Sequence, residues 1–251
     1  MNKPSLYLSL CTEFFDLDKP KASLEEYAFF HHYIAQSCGP ILEPMCGSGR
    51  YLIPYLEEGF DVEGFDSSPF MLQALHTKCA QKNLTPRVWE QFLEGVPATK
   101  QYNLIFIPDS SFCLFLDAAH IKMCLQKIYS LLQTGGTFVF DLETVYAVPE
   151  RTGVWQGKAY KKRDGSTIMC STLTLPVDNN VATVICRYEL IDKTDILKTE
   201  MEYFQIKLYY PTEMDTLLKE VGFSQIKRVA AYDHDNSPSA HDYTIAYECI
   251  R

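Results

Sequence analysis

From about residue 23 to residue 140 the chain alternates helical periodicity with short apolar runs, and this rhythm limits its possible folds more than any other feature. Ser23 is a candidate N-cap with Glu26 at the capping-box spacing, and it opens an aromatic-rich helix through about Ala35. Gly39-Pro40 stops that helix. Ile41-Leu42-Glu43 reads as a strand, followed by a glycine turn, a helix from about Tyr51 to Glu58, and a strand at Val62–Asp66. A helix over roughly Pro69–Lys82, a short strand Arg87–Glu90, a buried strand Leu104–Ile107, a helix Ala118–Leu132 and a strand Thr137–Leu142 complete the series. Strand and helix in this alternation require right-handed crossovers, hence an α/β chain with a mostly parallel sheet and helices on both faces.

After Leu142 the pattern changes. Residues 166–175, 181–191 and 196–209 are rich in Thr, Val, Ile and Tyr, with Asp178-Asn179-Asn180 and Asp192–Asp195 marking turns between them. An antiparallel meander is therefore expected as an insertion, at about residues 146–210. Pro211 opens a helix to about Val221, with Gly222 just past its end. Strands near Gln225–Ala231 and Tyr243–Cys249 flank a final polar loop.

Composition narrows the function classes. A chain of 251 residues with 47% apolar content can bury one large core. No apolar run approaches the ~20 residues that span a bilayer, and no signal-peptide pattern is present. Nine cysteines form no C-x-x-C pair, the usage of a reducing, cytoplasmic setting. The net charge of −9 argues against general attraction to nucleic acid or anionic membrane. The one basic cluster, Lys158 with Lys161-Lys162-Arg163, reads as a solvated turn.

The chemistry concentrates at Ile41-Leu42-Glu43-Pro44-Met45-Cys46-Gly47-Ser48-Gly49-Arg50-Tyr51-Leu52. A strand feeds a helix through two glycines, so backbone can approach a ligand at the helix N-terminus. Glu43 ends this strand and Asp66 ends the next, which a parallel sheet places side by side. An acid at Asp66 suits ribose hydroxyls. Leu52 stands where a dinucleotide fingerprint wants its third small residue, and no G-K-[ST] follows. Glu43 would repel a pyrophosphate and favour an ammonium group. The combination fits a nucleoside carrying an amino-acid end.

The stretch Glu43–Arg50 resembles the first motif of class I S-adenosylmethionine-dependent methyltransferases, and further segments match in order. Gly64–Leu72 resembles the acidic second motif and its helix, Tyr102–Pro108 the fourth strand, and Leu131–Phe138 the lead into the fifth strand. Tyr210–Glu213 through Gly222-Phe223 resembles the late helix ending in G-F. The resemblance implies a Rossmann-like seven-stranded sheet, S-adenosylmethionine as cofactor and S-adenosylhomocysteine as product. It implies cofactor contacts from Glu43, Met45, Cys46, Gly47, Gly49, Asp66, Ser67, Met71, Gln91, Phe92 and Pro108. Met45 replaces the motif's first glycine, implying a slightly wider turn, and Gln91 replaces the usual Asp. Glu43 and Asp66 have an alternative role as helix caps, and Phe92 as a core residue.

On the acceptor side, Asp109 lies where sulfonium and acceptor should meet, able to orient an amine or take a proton; alternatively Asp109-Ser110-Ser111 caps the next turn. Residues 108–112 do not match the motif of nucleic-acid amine methylases. The inserted meander, with Trp155, Tyr188 and Tyr209, and the N-terminal helical segment of about residues 1–38, are expected to act as lids, although most of these aromatics serve packing. His31-His32 read as packing residues. The loop 233–242 carries two His-Asp pairs but reads as a solvated hairpin loop, so no metal is expected. A small-molecule N- or O-methyltransferase is the leading expectation, as a monomer or homodimer without nucleic-acid or membrane partners. A protein or RNA methyltransferase, or a non-catalytic cofactor-binding protein, is the alternative.

Overall fold

The computed structural model describes residues 6–251, so the first five residues of the expected N-terminal segment lie outside the described ones. Two helices come first, α1 (Ser9–Asp18) and α2 (Leu24–Gln36). The Ser23 hydroxyl accepts from the Glu26 N–H while the Glu26 carboxylate accepts from the Ser23 N–H, the reciprocal cap that the spacing predicts.

The α/β series follows: β1 (Ile41–Pro44), α3 (Leu52–Glu57), β2 (Val62–Asp66), α4 (Pro69–Gln81), β3 (Arg87–Glu90), β4 (Tyr102–Ile107), α5 (Ala118–Leu131) and β5 (Leu132–Glu143). Next come four strands, β6 (Trp155–Lys161), β7 (Thr167–Thr174), β8 (Val181–Asp192) and β9 (Asp195–Lys207). The chain ends with α6 (Pro211–Val221), β10 (Gln225–Ala230) and β11 (Thr244–Ile250). The main sheet has seven strands in the order β10-β11-β5-β4-β1-β2-β3, in which β1 to β5 run parallel and β11 pairs antiparallel with β5.

Strand alternation divides the core between the two faces of this sheet. Ile105 and Ile107 of β4, with Phe138, Phe140 and Leu142 of β5, pack under α5 and α6. Leu104, Phe106 and Val139 face α2, α3 and α4. Both faces are therefore covered, and the polar chemistry is left to the carboxyl ends of β1, β2, β4 and β5.

β6 to β9 form a separate antiparallel sheet in simple meander order. Its apolar face takes Leu10, Cys11 and Phe14 of α1 against Ile168, Cys170, Cys186 and Tyr188. Here the structure differs from the sequence reading. The basic cluster is only in part a solvated turn: Lys158 and Lys161 lie in β6 and Lys158 pairs with Asp18, Lys162 follows the strand 2.6 Å from the Glu13 carboxylate, and Arg163 is exposed in the turn beyond. Lys158 and Lys162 offset acids of α1. Two backbone N–H groups at the start of α1 are met from a distant part of the sequence, that of the N-cap Leu8 by Glu202 and that of Leu10 by Glu200, each at 2.7 Å. Carboxylates at a helix N-terminus satisfy its orphan donors and complement its dipole. Among the described residues no helix is long and apolar enough to cross a membrane.

Candidate active site

The turn after β1 is built on three residues in the left-handed region, Met45 (φ 59°), Gly47 (φ 52°) and Gly49 (φ 83°). Met45, in place of the motif's first glycine, adopts the conformation that a glycine reaches without strain. Gly49 has a packing reason as well, since a Cβ there would meet Ile53 at 2.8 Å and Leu75 at 3.0 Å. Gly47 differs: an added Cβ would meet only the Met71 sulfur, at 3.9 Å, so this backbone faces open space. Gly64 of β2, without an assigned role from sequence, lets the turn sit down, because a Cβ would meet Leu52 at 2.7 Å and Cys46 at 3.0 Å. Cys46 is accordingly buried, and burial pushes its thiol pKa up.

Glu43 and Asp66 stand beside this turn. Asp66 accepts from the Gly47 N–H and the Ser68 N–H, each at 2.8 Å. It thereby fixes the Gly47 peptide and the start of α4, whose Ser68 N-cap accepts from the Met71 N–H at 3.2 Å. Burial raises the Asp66 pKa and these N–H groups oppose the rise. Glu43 is 2% exposed, and its Oε2 has no hydrogen-bond partner. Burial first, and the Asp66 charge second, hold its pKa well above the usual carboxylate range. A buried carboxyl oxygen without a partner, beside a second acid, is a site that gains from a positive group.

The adenine-side candidates are brought to the same edge with different exposures. Met71 is buried beside Gly47, Ser67 is exposed, and Phe92 is 49% exposed. The Gln91 side chain closes on its own loop, its oxygen accepting from the Phe92 N–H at 3.0 Å and its amide donating to the Gly95 carbonyl. Pro108 is buried at the end of β4, where its carbonyl accepts from the Ser111 N–H and hydroxyl.

Beyond Pro108 the chain takes two consecutive left-handed residues, Asp109 (φ 58°) and Ser110 (φ 51°). Strain of this kind persists only where surroundings fix it. Asp109 pairs with Arg50 at 2.9 Å, with Lys19 3.7 Å away, and Arg50 also reaches Glu26 at 2.6 Å. Ser110 does not cap the following turn with its side chain, the other possibility from sequence. Its N–H and hydroxyl instead donate to Asp141 at 2.9 and 3.0 Å.

Asp141, at the end of β5, is the principal residue missed by the sequence reading. It is fully buried, it accepts from the Tyr232 hydroxyl at 3.3 Å, and its Oδ1 has no hydrogen-bond partner. Burial, then the nearby Asp109 charge, raise its pKa to about 7. Burial and Asp109 likewise raise Glu143. The available signal was an acid closing the apolar run Phe138-Val139-Phe140, two strands from Glu43 and next to Asp109.

α1 lies across this edge. Asp16 accepts from the Ser48 hydroxyl at 2.5 Å and from Lys78 at 2.7 Å, and the Ser68 hydroxyl donates to the Tyr7 carbonyl at 2.7 Å. Tyr7 is partly buried there, and burial first, then Cys11, Asp109 and Asp66, raise its pKa.

The three aromatic acceptor candidates are not gathered together. Tyr209 is fully enclosed in the main core, its hydroxyl reaching the Phe115 carbonyl at 3.4 Å. Tyr188 packs on Phe14 between α1 and the second sheet. Trp155 is 51% exposed at the start of β6. The loop 233–242 folds back on α2, where His234 stacks on Phe29 with centroids 4.4 Å apart, while His241 lies against Tyr146. His31 pairs with Glu58 at 2.9 Å.

Comparison with known proteins places this geometry. The family model described as a methyltransferase domain matches residues 41–136, which run from β1 into β5. A curated Geobacillus sp. (strain WCH70) protein named as a putative methyltransferase is 24% identical over 147 residues, covering 57% of this chain and 58% of that one. This chain thus spans a little over half the length of that relative. The structure of an S-adenosylmethionine-dependent methyltransferase from Clostridium acetobutylicum ATCC 824 superposes with a TM-score of 0.77 at 17% identity, covering 95% of this chain and 96% of that one. The sugar N-methyltransferase KedS8 from Streptoalloteichus sp. ATCC 53650 gives a TM-score of 0.75 at 16% identity, over 100% and 98% of the two chains. At these identities the superpositions establish the fold.

Proposed function

From the premise that residues 41–136 of this chain form a methyltransferase domain, we propose that the protein transfers a methyl group from S-adenosylmethionine to a nitrogen of a small molecule. The observation that carries this reading is the partnerless buried oxygen of Glu43 beside the open face of Gly47 and the carboxylate of Asp66. Those residues fit such a cofactor: Glu43 would take the ammonium of its methionine end, Gly47 and Gly49 would let backbone pass beneath, and Asp66 would accept from the ribose hydroxyls. Ser67 and Met71 would lie against the adenine, with Phe92 flanking it and Gln91 turning outward from its own loop. When bound, the cofactor supplies an electrophilic methyl on a sulfonium, open to in-line displacement.

The chain's own contribution is alignment, exclusion of water, and a destination for one proton. Asp109 and Asp141, at the ends of adjacent strands, give this edge the negative potential that draws an amine. Asp141, with a pKa of about 7 and an unpartnered oxygen, is suited to accept the proton an amine must lose. Asp109 would orient the acceptor once Arg50 shares its charge with Glu26. α1 and the four-stranded sheet, bolted together by Glu200 and Glu202, would form the lid. Of the three aromatic candidates, Trp155 keeps a ring accessible to an acceptor, while Tyr188 and Tyr209 serve the two cores.

The test is S-adenosylhomocysteine formation with a panel of small primary and secondary amines and their matched alcohols. Turnover confined to amines is the expected result. Turnover of alcohols alone would overturn the nitrogen assignment, and an absence of cofactor binding would overturn the whole reading.

A further inference from the structure

Glu94, His120 and Cys124 lie outside the proposed active site and bring one carboxylate, one imidazole and one thiol together. Their ligand atoms all fall within 4.8 Å of one another, and His120 Nε2 is 3.5 Å from a Glu94 oxygen. We propose that these three side chains form a divalent transition-metal site, with zinc as the best-matched ion.

Three physical features support it. His120 and Cys124 stand four residues apart on α5, so both side chains project from one helix face. Glu94 comes from a different element, the 3-10 turn Leu93–Gly95 after β3, so the donors converge from two directions. Tetrahedral zinc bonds of 2.0–2.3 Å would set ligand atoms about 3.3–3.7 Å apart, so the present set needs only a small closure. The second feature is the His120 ring. Its Nε2 is buried from solvent without a hydrogen-bond partner, and the Phe115 ring holds it edge-on with centroids 5.2 Å apart. The other side of His120 is committed to structure, since its backbone N–H donates to the Asp117 cap at 2.9 Å. The third feature is charge. A thiolate, a carboxylate and a neutral imidazole cancel a dication, so the ion would enter this largely buried place without net charge. The thiol proton leaves to solvent on binding, and water completes a fourth position.

The site has a built-in consequence. Glu94 belongs to the loop that begins with Gln91 and Phe92, so an ion would tie the adenine-side loop to α5. Its occupancy would then be felt by any ligand that needs the loop ordered, and the effect would be reciprocal. No motif announces this set, because its three members are split between a turn and a helix 26 residues further on.

The experiment uses the full chain stripped with a chelator and then titrated with zinc against a chromophoric competitor, with cobalt(II) as the spectroscopic probe. One equivalent is expected to bind, with a thiolate-to-cobalt charge-transfer band in the near ultraviolet and a rise in melting temperature. His120→Gln and Cys124→Ser are expected to weaken zinc binding by more than about tenfold and to abolish the melting-temperature rise, with Cys124→Ser also removing the band. The partly exposed His120 position guards against a variant that fails to fold, and Cys38→Ser, at an exposed thiol, is expected to leave binding unchanged. Equal zinc affinity in the parent and His120→Gln, or a cobalt spectrum without the thiolate band, would overturn the site.

Discussion

The two halves of the candidate active site are made in opposite ways. The donor half, Glu43 to Gly49 with Asp66, is almost continuous in sequence, and its shape follows from left-handed backbone at the turn and two backbone N–H groups donating to the Asp66 carboxylate. The acceptor half is assembled from Glu26, Arg50, Asp109, Asp141 and Tyr232, which five separate segments carry to one place. The first half has one backbone solution. The second holds its geometry through charge: a strained Asp109-Ser110 step, an arginine shared by two acids, and a buried acid with a raised pKa. A local half of this kind is robust to distant change, whereas the dispersed half can be retuned by any one of its contributors.

The largest expected effect falls on the donor turn. Gly49→Val forces a Cβ into Ile53 and Leu75 at a left-handed φ, and should cost about 3 kcal/mol or more of stability, read by denaturant unfolding. Gly47→Ala places its Cβ in open space and should cost only about 1 kcal/mol of stability from its φ, while weakening cofactor binding. Equal losses of stability at the two glycines would break the distinction between a packing glycine and a ligand-facing one.

Next in size is Glu43→Gln. It keeps the volume and removes the ionisation that burial opposes, so the free protein should melt higher at pH 8 while cofactor affinity falls by about tenfold. A fall in both would mean that Glu43 is a structural acid.

Asp141 sharpens the acceptor half. Its carboxyl has an unfolded value of 3.8 and a folded value of about 7, so the folded state binds the proton more tightly. The stability this confers is complete below about pH 3.8 and is lost as the pH rises toward 7. Asp141→Asn should therefore gain on the parent in thermal stability across that window. The same ionisation predicts a parent kcat/KM that rises through about pH 7 and a variant without that limb. The smallest effect belongs to the lid: Lys162→Ala removes a surface pair to Glu13 and should change stability by less than about 1 kcal/mol, seen in the melting temperature.

The same contrast explains what was readable beforehand. The parallel core was legible because its apolar periods, caps and glycine stops are local, and the boundaries of β2, β3 and α6 follow from a few neighbouring residues. β6 escaped because Lys158 and Lys161 read as part of a solvated turn until α1 supplies Asp18 opposite Lys158. Met45 showed a departure from the motif but not its solution, since a backbone dihedral has no composition. Asp141 and Tyr232 were hidden for the same reason as the cap from Glu200 and Glu202: each acts on a residue about ninety or more positions away.

The central claim is that Asp66, braced by the Gly47 N–H, holds the nucleoside end of a methyl donor whose amino-acid end lies at Glu43. Calorimetric titration of the protein and its Asp66→Ala variant with S-adenosylhomocysteine tests it most directly. One equivalent should bind to the parent, and the variant should lose about 1–3 kcal/mol of binding free energy with the loss of charged hydrogen bonds. Binding of equal strength to both proteins, or no binding to the parent, would contradict it.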